Sequence, residues 1–392
     1  MTAREEAQRF LDQLRAQTDP SFGWVDAARA KDVVDQFLRE SIPPEQRRDP
    51  LFREQWKQGV TDRLRDIDGA LAEHLARMQA NIERTAAARA GGADFDSPLV
   101  GYLRTGQLNA VSLPVPGRSD AYLVLFEDQM LAFIHILADA IVWALPRDPD
   151  GADGEVQFGL RAAAVAERIA ADATVVGTFA ALVGSYTVMG RIMSVGTRLP
   201  PDRYPLARQL STSISYFVLG HEYAHVLLGH LDTTTSRAGV LPATDVETLA
   251  YSWQQEAHAD ELGTHLSINA LIEHERQTLP VAFAGSCLFF DAVDVMDRAV
   301  ALLQTGDENA RQLGSHPPAG LRKQRLRDVL PQMAKGDPAT LDLVRGALVL
   351  ADLLEEIVRL LWERTRPVLV DLRDQGVSAA PTWRTVPKET SG

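Results

Sequence analysis

Apolar residues along this chain recur mostly in steps of three and four. From Leu64 they run Leu64, Ile67, Leu71, Leu75, Met78, Ile82, one stripe along a helix. The stripe is short, so it predicts a helix packed on the body of the protein rather than a coiled-coil dimer. "AGGADFDSP" (90–98) then breaks the pattern and marks a boundary. "SDAYLVLFED" (119–128) is the best strand candidate, since it follows a turn-rich run and is dense in β-formers. Its inner part, Ala121 to Phe126, is the candidate edge strand, beside which an extended peptide could add itself, and a core strand gives the same pattern. Helical patterns follow at 129–145, from Leu160 to about Val195, and from Leu206 through Leu231. Three more lie at about Val246 to Glu275, Val281 to Leu303 and Leu341 to Glu363. "PRDPDGADGE" (146–155) reads as a surface loop and 378–392 as a loose tail. The expected fold class is therefore mainly α (α+β), with a small β element. The expected division is a helical N-terminal region (1–97), a central domain (98–335), and a C-terminal helix with its tail (336–392).

Composition changes this picture little. At 45% hydrophobic and 24% charged, the 392 residues are ordinary for a globular protein and suffice for a sizeable core. A net charge of −13 without a long basic run speaks against nucleic acid or an anionic membrane surface as partner. The single cysteine, Cys287, excludes an intrachain disulfide framework and fits a reducing compartment. The charged N-terminus lacks the apolar stretch of a signal peptide, so a cytoplasmic location is expected. Ala173 to Gly190 reaches membrane-span length without a charge. Its Gly, Thr and Ser content favours a buried helix, no second span is found, and stable membrane insertion is not expected.

Chemistry concentrates in "GHEYAHVLLGH" (220–230). His221 and His225 stand at i and i+4, so on a helix both imidazoles share one face, as two ligands of a tetrahedral zinc ion require. Glu222 points slightly off that face, where it can take a proton from a metal-activated water. His, Glu and His inside an apolar helix are costly unless something satisfies them, and a metal does. His230 falls five residues after His225 and reads as a helix C-terminal histidine favoured by the dipole. Glu256 and Asp260 form a second i, i+4 pair in "QQEAHADELG" (254–263). Glu256 is positioned to supply a third ligand, and Asp260 to accept the outer N–H of a ligating histidine. The small Ala257 and Ala259 let this helix come close, and His258 falls off the acidic face. The same spacing also suits a solvated acidic face. His316, in "GSHPP" (314–318), is alone compatible with a turn histidine.

Together and in this order, the three segments resemble gluzincin peptidases of the HtpX and CAAX-prenyl-endopeptidase type. The residues that carry the resemblance are His221-Glu222-Tyr223-Ala224-His225, Glu256-Ala257-His258-Ala259-Asp260, and Ser315-His316-Pro317-Pro318 with Arg322 and Arg325. The resemblance covers roughly Leu123 to Leu326. It implies a zincin-like core with an active-site helix, zinc held by His221, His225 and Glu256, Glu222 as general base and proton donor, and His316 near the oxyanion. Most familiar members are membrane-embedded, so the expectation here is a soluble offshoot acting on a protein or peptide substrate. The competing reading is a zinc-stabilised, non-catalytic scaffold or sensor that binds a protein partner, and Glu222 separates the two because a structural site needs no base. A protease confined to one cellular protein, in stress or phage defence, is a narrower form of the first.

Overall fold

A computed structural model defines the fold. It describes residues 2–18, 71–89, 97–105, 108–147, 158–159, 161–192, 199–234, 237–240, 247–310, 316–333 and 337–380. Leu64, Ile67, the break at 90–96, loop residues 148–155, Ser315 and the tail from 381 lie outside these. Helix α1 spans Ala3–Gln17 and α2 spans 71–89. Strands β1 (Leu99–Leu103), β2 (Ala110–Pro114) and β3 (Tyr122–Glu127) follow. Next come α3 (Asp128–Ala144), α4 (Ala162–Ala171), α5 (Ala173–Met189), α6 (Tyr204–Leu227) and the single turn α7 (His230–Thr233). A hairpin of β4 (Arg237–Val240) and β5 (Glu247–Leu249) leads to α8 (Trp253–His274), α9 (Leu279–Thr305), α10 (Ala319–Met333) and α11 (Pro338–Asp374). The chain is mostly helical with a small mixed sheet, as its apolar periodicity predicts.

The first sheet has the order β1-β3-β2, with β3 parallel to β1 and antiparallel to β2. The edge expected at Ala121 to Phe126 is therefore its centre. The physical reason lies in the run itself, whose residues are all buried, since a strand covered on both faces is apolar throughout rather than alternating. Tyr122, Val124 and Phe126 face the main helical core, whereas Leu123 and Leu125 face α1. Helix α1 starts at a reciprocal cap between Thr2 and Glu5 and lays Ala7, Phe10, Leu11 and Leu14 on that outer face. The strand at the sheet's edge on the helical side is β2.

Several helix boundaries differ from expectation, each for a local reason. Where one helix is expected from Leu160 to about Val195, the described residues form two, Ala162–Ala171 and Ala173–Met189, bent by 85°. The break falls at Asp172, whose carboxylate accepts the Thr174 N–H and starts α5 as its N-cap. The segment expected to run through Leu231 stops at Leu227, because Gly229 adopts φ +67°, a left-handed turn that ends the helix. Within the stretch expected helical from about Val246, Glu247–Leu249 is β5, and α8 starts only after the reciprocal cap of Ser252 and Gln255. Helix α11 runs on to Asp374, well past Glu363. Among the described residues α9 is the one helix long and apolar enough by itself to cross a membrane, α4 and α5 passing only as a bent pair. Of its most apolar window, 72% is buried inside the fold, as in a core helix.

Helix α6 is the axis of the molecule and is buried almost all round. It meets α8 backbone to backbone at Gly220 and Gly263, where a Cβ on Gly263 would lie 2.6 Å from the His221 nitrogen. Helix α2 grips α6 through two tyrosines two turns apart. Asn81 donates to the Tyr216 hydroxyl at 2.6 Å, and the Tyr223 hydroxyl donates to Glu83 at 2.8 Å. Leu75, Met78 and Ile82 of α2 belong to the same core cluster as α6.

Candidate metal centre

The glycine crossing sets the site. Immediately beyond it, α6 presents His221 and His225, and α8 presents Glu256 and Asp260. His221, His225 and Glu256 converge so that one ligand atom from each lies within 4.8 Å of the others. The two Nε2 atoms are 3.2 Å apart, and each stands 3.7 Å from an oxygen of Glu256. An ion bound tetrahedrally at zinc distances would hold its ligand atoms about 3.4 Å apart, close to the spacing of the two histidine nitrogens, with one oxygen of Glu256 facing each of them. Glu256 is 1% exposed, and its Oε2 is met by the Arg322 guanidinium at 3.1 Å without a well-directed hydrogen bond. The buried His221–His225–Glu256 group could hold a metal ion.

The outer atoms of the site are also occupied. His221 Nδ1 stands 3.0 Å from Asp260 Oδ1, in the position expected from the spacing. Arg322, on α10, makes a two-pronged pair with Asp260 at 2.7 Å on each arm and reaches Glu256 Oε2 at 3.1 Å. Its guanidinium lies over the Phe290 ring. Burial pushes the Asp260 carboxyl up, but Arg322 and His221 outweigh it and hold the group down at about 2. Burial, with the positive charges around it, keeps His225 well below its ordinary value and so neutral. The His225 ring is stacked by Tyr251 at 3.7 Å between centroids.

Glu222 is buried, at 8% exposure, and burial raises its carboxyl to about 7, with His221 and the Ser112 hydroxyl pulling the other way. Ser112, on β2, thus hydrogen-bonds Glu222 and also stands 3.2 Å from the Tyr251 hydroxyl. His316 lies at the rim, 44% exposed, with Nε2 3.5 Å from Glu256 Oε1. His258 is exposed and lies outside the group that could hold a metal, though its charge is felt at His230. His230 is not the helix-end histidine expected. Gly229 turns the chain back, and the buried His230 ring sets Nδ1 3.0 Å from Nδ1 of His225. The sequence reading assigned no role to Ser112, Tyr251 or Arg322. Only the glycine before His230 signals a chain reversal that returns a side chain to the helix it has just left.

Comparisons of the chain with protein-family models, with curated proteins and with solved structures return no match.

Proposed function

We propose that the protein is a zinc-dependent metalloendopeptidase of zincin-like architecture. The observation that carries the reading is a buried carboxylate, Glu222, with no metal-holding role, on the same helical turn as a closed His221–His225–Glu256 triangle. The donor set, two imidazole nitrogens and one carboxylate oxygen, suits zinc and leaves a fourth position for solvent. Zinc held there supplies Lewis acidity, lowering the pKa of a water and polarising a carbonyl. Glu222 takes the proton of the attacking water and returns it to the leaving amine. Ser112 holds the Glu222 carboxylate by donating its hydroxyl, which fixes the direction of proton transfer. Asp260 orients His221, and Arg322 clamps Asp260. His316 faces solvent beside Glu256, where its ring N–H serves the developing oxyanion. An extended peptide is best accommodated along β2, because β2 rather than β3 ends the sheet and carries Ser112 next to Glu222.

The test is metal content followed by cleavage. Purified protein should carry about one zinc per chain, since one such triangle exists among the described residues. Glu256→Ala should lose most of it. Glu222→Gln should keep the zinc and lose about 100- to 10,000-fold in turnover on casein or on proteins of a whole lysate. A Glu222→Gln protein that cleaves at the wild-type rate removes Glu222 from the mechanism. Zinc-loaded wild type that cleaves nothing in either screen hands the site to the scaffold reading.

A further inference from the structure

The peptidase reading uses one face of the His225 ring and leaves the other unexplained. Nε2 of His225 points at the triangle, 3.2 Å from His221 and 3.7 Å from Glu256. A neutral imidazole carries one N–H, so a ring that ligates through Nε2 holds its proton on Nδ1. That N–H is 1% exposed and needs an acceptor inside the protein. His230 Nδ1, at 3.0 Å, is the atom there. His221 has Asp260 in the corresponding place.

We propose that His230 is a positioning residue for the metal: its Nδ1 accepts the Nδ1–H of His225, which fixes that ring's tautomer and presents Nε2 to the ion. The proposal rests on the metal reading above. His230 is not itself a ligand, because it lies on the Nδ1 side of His225, away from the triangle, and is absent from the group that could hold a metal. Its own proton then sits on Nε2. A neutral imidazole in this place does what Asp260 does for His221 without adding another negative charge to a pocket that already buries Glu222, Glu256 and Asp260 around the one guanidinium of Arg322. Tyr251 stacked on the ring keeps His225 from swinging off this partner. Gly229 brings the acceptor back, since its φ of +67° reverses the chain between His225 and His230.

The experiment compares zinc affinity, by competition with a chromogenic chelator, in wild type, His230→Ala, His230→Asn and the exposed control His135→Ala, on α3. Asn places its amide oxygen where His230 holds Nδ1 and so keeps an acceptor. His230→Ala should lose about 10- to 100-fold in zinc affinity, while His230→Asn recovers most of it and His135→Ala matches wild type. A long-range proton–nitrogen spectrum of the metal-free protein should show His225 protonated on Nδ1, and a mixture of tautomers in His230→Ala. That readout does not move if His230 only fills space. Equal zinc affinity in wild type and His230→Ala overturns the proposal alone, as does an Asn variant as weak as the Ala variant. Wild type that takes up no zinc overturns the metal reading and this proposal with it.

Discussion

Glu222 has two neighbours that decide what its carboxylate can do. His221 stands beside it in sequence, and Ser112 reaches it from β2. Burial alone would leave a carboxyl protonated near neutrality, and a divalent cation beside it pulls the proton off again. In the proposed peptidase mechanism the Ser112 hydroxyl would add direction to this, because a donor on one oxygen leaves the other to face a water. A hydrogen bond to a charged group contributes about 1.5 kcal/mol or more, so Ser112→Ala should lower kcat by about tenfold. Zinc content should not change, since Ser112 touches no ligand. Steady-state kinetics with a metal assay on the same preparation checks both. An unchanged kcat would mean that burial by itself holds Glu222. Neither Ser112 nor Tyr251 was legible as part of the site. A serine in a strand and a tyrosine before a helix are common, and what distinguishes these two is a meeting across the fold.

At the scale of elements, the site depends on how closely α6 and α8 cross. The i, i+4 spacings of His221 with His225 and of Glu256 with Asp260 were legible because each is a property of one helix. The crossing was not, because it takes a glycine from each helix meeting by chance of register. Gly263→Ala would put a methyl 2.6 Å from the His221 nitrogen, and backbone cannot swing aside as a side chain can. The helices must part, with a cost of about 1–3 kcal/mol and weaker zinc binding as Glu256 withdraws from the histidines. Gly184→Ala on α5, where a Cβ meets nothing, is the control and should be neutral or stabilising. Chemical unfolding and the chelator competition read the two effects, and a Gly263→Ala protein with wild-type zinc affinity would show that the crossing does not set the site. Two other errors of the sequence reading had visible causes. The unbroken apolar run Tyr122 to Phe126 belongs to a strand covered on both faces, and Ser252 with Gln255 marks a helix start that apolar spacing alone passes over.

At the scale of the whole molecule, α10 must be held in place for Arg322 to reach the site, and the next residue does this. Lys323 turns away from the centre and pairs with Asp291 of α9 and, at 2.9 Å, with Glu355 of α11. Asp291 and Lys323 are buried, at 7% and 8% exposure, whereas the Glu355 side chain is half exposed. Burial raises the Asp291 carboxyl to about 6, with Lys323 pulling it back, so the stability tied to its proton is present below about pH 4 and lost as pH rises through about 6. Lys323 is raised despite burial, by Asp291 first, so its pairing stabilises the fold throughout the neutral range. Lys323→Met removes the cation and pushes Asp291 higher still. At pH 7.5 the fold must then either bury an unpaired carboxylate or take up a proton, at a cost of roughly 3 kcal/mol. At pH 5 Asp291 already carries its proton in the wild-type fold, and the same substitution should cost less than half as much. Urea unfolding of both proteins at the two pH values measures the difference. Equal losses at both would mean that Lys323 acts through packing of its aliphatic stem, and that α10 is anchored by its apolar contacts instead.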